Sequence, residues 1–264
     1  MHSGLSRRRE EGGTLMSIEG FEGGAPGMTG QRAGTLPSAS GQRPFSVETF
    51  LEAGIRAAER RFGRGGLIFS PGDTGEQLYF LLEGTVRLYR IYGDHKEATV
   101  ALLKEGDVFG ELSLEAKTCQ SVFAEAVAAS RVAVVRKPVL GEAIRRHPEL
   151  AKELLSAFSE RLRQSDEKIE ILLNRGVATR LAALLWHLAD RFGEPDVSGK
   201  ALGPRLTHQD LANMVASTRE AVSKVMSEFQ RGGLIEVQGR RIIVSPRLAE
   251  AHPGNLPSVP GAAA

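Results

Sequence analysis

The period of the apolar residues changes partway along this chain, and that change constrains its fold more than any single motif. From Phe62 to Val135 the pattern is one of short β-rich runs, such as Leu78-Tyr79-Phe80-Leu81-Leu82, Thr85-Val86-Arg87-Leu88-Tyr89 and Thr99-Val100-Ala101-Leu102-Leu103. Between them stand turn formers: Pro71-Gly72-Asp73, Glu83-Gly84, Gly93-Asp94, Glu105-Gly106-Asp107 and Gly110. Turns this closely spaced leave no helix between strands, which predicts an antiparallel barrel or jelly roll. After Pro148 the period becomes helical. Leu155, Phe158, Leu162, Ile169 and Leu172 follow alternating spacings of three and four once Ser165 is placed in the seam, a coiled-coil heptad with one polar interruption. A parallel dimer helix is the preferred reading, and a helix packed on its own barrel is the alternative.

Asn174-Arg175-Gly176 breaks this helix and marks a hinge. A second helix follows, with Val177, Leu181, Leu184, Leu185, Leu188 and Phe192 on one face, and Gly193 to Gly203 reads as a loop. The expected class is α+β: a β-roll over residues 46–147, a dimerisation helix over 148–174 and a further, mainly helical module over 175–250. Residues 1–45, rich in Gly, Ser, Arg and Pro, bury too little apolar surface to offset the entropy of ordering and are expected to be disordered, with a flexible tail over 251–264.

Composition removes several classes. The single cysteine, Cys119, excludes an internal disulfide, a Cys-based zinc site and a four-Cys iron–sulfur cluster, and fits a reducing cytoplasm. It reads as an inert small side chain rather than a redox sensor. The most apolar stretch, Leu181 to Ala189, is nine residues long and contains His187, too short and polar to span a bilayer. Arg7, Arg8 and Arg9 are followed by Glu10 and Glu11 rather than by an apolar run, so a signal peptide is not expected.

Leu206 to Val244 is the most informative segment. Thr207-His208-Gln209-Asp210 fits a capping box, and Leu211, Ala212 and Val215 give the short helix behind it a buried face. Ser217-Thr218-Arg219-Glu220 fits a second box, opening a helix whose apolar side is Ala221, Val222, Val225, Met226 and Phe229. Two capped helices and a tight turn predict a helix-turn-helix. The outer face then presents Arg219, Glu220, Ser223 and Lys224. Arginine can fork to guanine O6 and N7, glutamate can accept from cytosine N4, and lysine can reach a guanine or a phosphate. By charge spacing alone, Glu220 and Lys224 are equally an i,i+4 pair on a solvated face. Gly232-Gly233, Leu234 to Val237, a turn at Gln238-Gly239 and Arg240 to Val244 add a hairpin, which makes the module a winged helix. Residues 200–250 hold eight Lys/Arg against five Asp/Glu, a modest basic bias suited to phosphate contacts.

These motifs, taken in order, resemble the cyclic AMP receptor protein/FNR family of bacterial transcription regulators. The resemblance is carried by Phe69-Ser-Pro-Gly72-Asp73, Leu78-Tyr-Phe-Leu-Leu-Glu-Gly84, Gly106-Asp107-Val-Phe-Gly110-Glu111-Leu112-Ser113-Leu114, the long helix, and Ser217-Thr-Arg219-Glu220-x-x-Ser223-Lys224. It implies a homodimer joined by the long helix, a two-fold symmetric double-stranded DNA site of TGTGA-type half-sites, and contact with RNA polymerase near Gly193 to Gly199. It also places Thr207 and Gln209 on phosphates and Ala216 at a turn position where many such modules have glycine. Lysine cannot fork bidentately, so Lys224 discriminates less sharply than an arginine would.

The resemblance further implies effector-pocket candidates Gly110, Glu111, Leu112, Ser113, Ser121, Val122 and Ser165. In the family's cyclic-nucleotide binders a Gly-Glu-Leu turn meets the ribose and an Arg-Ser pair meets the phosphate. Gly110-Glu111-Leu112 matches the turn, but Ser121 and Val122 occupy the Arg-Ser positions. An anion buried without a cation is costly, so the expectation is no cofactor and activity without cyclic AMP. A regulator that responds to cyclic AMP or another small ligand through Glu111, Ser113, Ser121 and Ser165, with Arg131 or Lys117 as candidate substitute cations, is the alternative. Enzyme classes lack support: Gly193 to Lys200 has one residue too many between its glycines for a phosphate loop, no Gly-x-Ser-x-Gly occurs, and the six histidines are scattered.

Overall fold

The computed structural model describes residues 55, 57–93, 95–111 and 118–250. The expected extension over 1–45, the tail over 251–264, Leu112, Ser113 and Lys117 lie outside the described residues.

The β region comprises β1 (Ala58–Phe62), β2 (Leu67–Phe69), β3 (Gln77–Glu83), β4 (Val86–Tyr92), β5 (Lys96–Leu103), β6 (Val108–Gly110), β7 (Phe123–Ala126) and β8 (Ser130–Arg136). They form two antiparallel four-stranded sheets, ordered β1-β8-β3-β6 and β2-β7-β4-β5. Alternation along β3 explains its unbroken apolar run. Tyr79 and Leu81 pack between the sheets with Phe69, Val86, Leu88, Leu103 and Phe109. Leu78 and Phe80 face the opposite way and pack against helices through Leu140, Leu150 and Leu154. A strand covered on both faces carries no polar alternation.

Those helices are α1 (Lys137–Arg146) and α2 (Glu149–Leu173). The expected organisation contains no helix before Pro148, so α1 is a correction. Pro138 stands in its first turn, where the missing N–H is harmless, and the mid-helix Gly141 interrupts a pattern otherwise carried by Leu140, Ala143 and Ile144. Along α2 the two sequence readings divide by face. Leu150, Leu154 and Ala157 pack on the β-roll, and Phe158, expected in the seam, joins them. Leu155, Leu162 and Ile169 are 66%, 64% and 56% exposed.

After Asn174-Arg175-Gly176 come α3 (Val177–Phe192), β9 (Gly193–Asp196), β10 (Gly199–Leu202), α4 (His208–Met214), α5 (Arg219–Arg231), β11 (Ile235–Gln238), β12 (Arg241–Val244) and α6 (Arg247–Glu250). The expected loop at Gly193 to Gly203 is instead the β9–β10 hairpin, which completes a sheet ordered β11-β12-β10-β9. Pro195 is compatible with this because β9 is the edge strand, where its missing N–H breaks no ladder bond. Gly199 has no substitute: a Cβ there would lie 2.1 Å from the Val244 carbonyl oxygen. The wing turn also differs by one residue. Gln238 pairs with Arg241, leaving Gly239-Arg240 as the two-residue loop with Gly239 at φ 63°.

Leu181, Leu184, Leu185, Leu188, Leu211, Val222, Met226, Phe229 and Ile242 form the core of this module, and Leu102 and Val127 of the β-roll belong to the same cluster.

Candidate nucleic-acid interface

The helix-turn-helix is built by local bonds and one long-range clamp. Thr207 caps α4 by accepting from the Asp210 N–H at 3.1 Å, while the Asp210 carboxylate accepts from the Thr207 N–H at 2.7 Å. This is the expected capping box. The turn follows at Ala216, whose φ of 51° lies in the left-handed region and allows the Ser217 N–H to reach the Ala212 carbonyl at 3.0 Å. The second expected box does not form. Thr218, rather than Ser217, caps α5 by accepting from the Ala221 N–H at 3.2 Å, so the third helical position is Ala221 and Glu220 is free to face outward. Behind the turn, Arg180 of α3 donates through Nε to the Val215 carbonyl at 2.9 Å, satisfying an end-of-helix acceptor.

Arg219, Glu220 and Lys224 are exposed on α5, and among the described residues no ion pair joins Glu220 to Lys224. The solvated i,i+4 pair is therefore not formed. Ser223 departs from its expected place on the outer face. It is half-buried, donates to the Arg219 carbonyl at 2.8 Å and lies 2.8 Å from His208 Nδ1, so it ties α5 to α4. Thr207, Gln209 and Thr218 are exposed, Ser217 is half-buried, and Gln209 donates to Asn213 Oδ1 at 2.8 Å. In the wing, Arg241 turns toward Glu194 and Asp196, at 3.6 and 3.7 Å, leaving Arg240 exposed at the tip. Arg180 and His208 were not singled out from sequence, because a side chain aimed at a distant carbonyl or hydroxyl leaves no local pattern.

Among the described residues, the effector candidates of the β-roll do not line the cavity that Ser165 lines. Gly110, at φ 105°, is packed so closely that a Cβ would sit 3.0 Å from the Tyr79 ring, and Glu111 follows it. Ser121 is exposed and Val122 packs against the inter-sheet core, so neither supplies charge. Arg131, the alternative cation, pairs with Glu59 and Glu83 at 3.5 Å, whereas Gly110 lies beside Leu78 and Val135 toward the other end of β8. Cys119 is exposed and bridges Thr74 through its backbone.

Ser165 lies elsewhere. It donates to the Arg161 carbonyl at 3.1 Å and lines a cavity of about 50 Å³ between β5, α2 and α3, which Gly110, Glu111, Ser121 and Val122 do not line. Thr99, Arg161, Gln164, Lys168 and His187 share the lining. Burial pulls Lys168 down to about 8, and burial with help from Arg191 and Arg163 pulls His187 down to about 4. Thr99 Oγ1, Arg161 Nη1 and Gln164 Oε1 are buried without a hydrogen-bond partner.

Comparison with known proteins agrees with this layout. A cyclic nucleotide-binding domain model matches residues 59–147, and a Crp-like helix-turn-helix domain model matches residues 179–249. The chain is 37% identical over 185 residues to the global nitrogen regulator of Synechocystis, covering 69% of this chain and 82% of that protein. It is 29% identical over 184 residues to the CRP-like cAMP-activated global transcriptional regulator of Mycobacterium tuberculosis, covering 70% and 82%. The solved structure of a CRP/FNR-family transcriptional regulator from Thermus thermophilus matches with a TM-score of 0.61 at 30% identity, over 73% of this chain and 97% of that one. These relatives are transcription regulators, not enzymes.

Proposed function

Because the chain belongs to the CRP/FNR family of DNA-binding transcription regulators, we propose that it acts in the cytoplasm as a homodimer on two-fold symmetric TGTGA-type promoter sites, and that it does so without cyclic AMP. The observation that carries the DNA reading is the outer face of α5, where Arg219, Glu220 and Lys224 are exposed at the helix N-terminal end. The uncovered Leu155, Leu162 and Ile169 stripe supports association through α2. Independence from cyclic AMP is supported by Val122, packed against the inter-sheet core, and Ser121 at the surface, which bring no positive charge to a phosphate there. Contact with RNA polymerase falls to the β9–β10 hairpin, whose tip residue Val197 projects fully into solvent.

One observation favours a second reading, a regulator that answers to another small ligand. Arg161 Nη1, Lys168 and Thr99 Oγ1 converge on the cavity beside Ser165, a donor set that suits an anion.

The test is a titration of the full chain against a duplex carrying a palindromic TGTGA-type site and against a scrambled duplex, at fixed salt, with and without cyclic AMP. Selective binding without nucleotide is the expected result. Binding that requires cyclic AMP overturns the ligand independence, and absence of selectivity overturns the assignment of α5. Arg219→Ala is expected to weaken specific binding by about tenfold to a hundredfold.

A further inference from the structure

The two recognition helices of a dimer can read two half-sites only if something holds them at a set distance and twist. Within one chain, the covalent link between α2 and the winged helix is the short break at Asn174-Arg175-Gly176, with Gly176 at φ 86°. A link of this kind permits rigid-body swing unless other contacts restrain it.

Two polar arms supply such a restraint. Arg191, in the last turn of α3, donates to the Leu102 carbonyl at 3.0 Å and to the Asp107 carboxylate. Its side chain is 11% exposed and that of Asp107 is 19% exposed. Lys104 answers from the β-roll: its Nζ donates to the Arg191 carbonyl at 2.9 Å, an acceptor left open at the end of α3. Asp107 is itself held, accepting from the Lys104 N–H at 2.8 Å. The second arm reaches α4. Asn213 donates to Glu97 Oε2 at 3.3 Å, and Glu97 is fixed by Arg87, whose other nitrogen bonds Glu125 at 3.0 Å. Leu102 and Val127 pack into the helical core between the arms. The β-roll therefore grips both the helix behind the turn and the first helix of the DNA-binding pair.

We propose that this clasp makes the spacing between half-sites, and not only their sequence, a determinant of the DNA the protein selects, with Asp107 and Arg191 as specificity-determining residues that never touch DNA. The inference rests on the dimeric, two-fold reading proposed above. Changing the spacing by one base pair moves a half-site by ~3.4 Å and rotates it by ~35°. A clasped pair of recognition helices cannot follow that screw motion without breaking the buried Arg191–Asp107 pair or deforming the DNA. An unclasped pair follows it by turning at Gly176.

The experiment measures full-chain affinity, at fixed salt, for duplexes whose TGTGA-type half-sites stand at the optimal spacing or one or two base pairs to either side. A further duplex has one half-site scrambled. The wild type is expected to lose about tenfold or more per base pair of altered spacing. The double variant Asp107→Asn/Arg191→Gln removes both members of the pair together, so neither is left facing an uncharged partner. It is expected to reduce the spacing penalty to about threefold while keeping the full penalty for the scrambled half-site. Glu97→Ala, which opens only the second arm, is expected to give an intermediate penalty and decides the matter if the double variant does not fold. A folded variant that keeps the wild-type spacing penalty overturns the clasp, as does a wild type that binds the palindrome yet tolerates every spacing. A wild type that does not distinguish the palindrome from one half-site overturns the dimeric reading instead.

Discussion

The helices α2 and α3 stand on either side of one short break, and both carry an apolar face, yet only α3 covers its own. Leu181, Leu184, Leu185 and Leu188 are 6% exposed or less, enclosed by α4, α5, the wing sheet and two β-roll residues. On α2 the inner positions Leu150 and Leu154 are buried, whereas Leu155, Leu162 and Ile169 stand more than half exposed along a helix of 25 residues. At roughly 25 cal/mol per Å², a stripe of that kind is a standing penalty for an isolated chain and a driving force for a pair. The difference teaches that amphipathic pattern alone does not say who covers a face. The chain covers α3 and leaves the outer side of α2 bare, the side that the proposed dimer would cover.

Substitutions on the two faces are expected to fail differently. Leu185→Ala, at a fully buried site, is expected to cost about 2–5 kcal/mol of folding stability, read from denaturant unfolding of the purified protein. Replacing Leu162 and Ile169 together by glutamate is expected to leave each chain folded but single. Sedimentation would show the mass halving, and affinity for a palindromic site would fall by about a hundredfold or more as two-site engagement is lost. An undiminished mass would mean that the stripe is not the interface.

The seam between the two helices carries a pH signature. His187 of α3 lies 3.2 Å from Glu167 of α2 and is pulled down to about 4, by burial first and then by Arg191 and Arg163. In the unfolded chain it titrates near ~6.5. Between those values the unfolded state binds a proton that the folded state refuses, so this stability is fully present above pH ~6.5 and declines as pH falls toward 4. Glu167, which burial raises, contributes with the opposite sign. After discounting for partial exposure, His187 is expected to account for about 1 kcal/mol at pH 5, or ~2–4 °C in Tm. His187→Gln should flatten the difference between pH 7 and pH 5; an unchanged slope would mean that the imidazole is not held neutral.

The smallest effect belongs to the outer charges of α2. Arg163 pairs with Glu160 and Glu167 at helical spacing, half exposed, and Arg163→Ala is expected to change stability by no more than about 0.5 kcal/mol. A much larger loss would place α2's support in its surface charges rather than in its apolar faces.

Legibility followed range. The β-roll was readable because runs and turns alternate, and Thr207-Asp210 because a capping box spans four residues. The site's outward face, Arg219, Glu220 and Lys224, was readable for the same reason. The register of the second cap was not. Ser217 and Thr218 are equivalent as caps, and the left-handed Ala216 turn, clamped by Arg180 from 35 residues away, selected Thr218. β9 was hidden because Pro and Gly argue against a strand until an edge position makes them harmless. Helix α1 was hidden by Gly141 and held by the sheet beneath it.

Periodicity, caps and turn residues, all local interactions, are enough to determine that this chain builds a β-roll, a long helix and a winged helix, in that order. Only the tertiary structure decided that Ser223 turns inward, that Ser165 sits apart from Glu111, and that Asp107 grips Arg191 across 84 residues. Those outcomes depend on which buried polar group finds a partner once the core has closed, and that competition between distant groups has no signature in the spacing of neighbours.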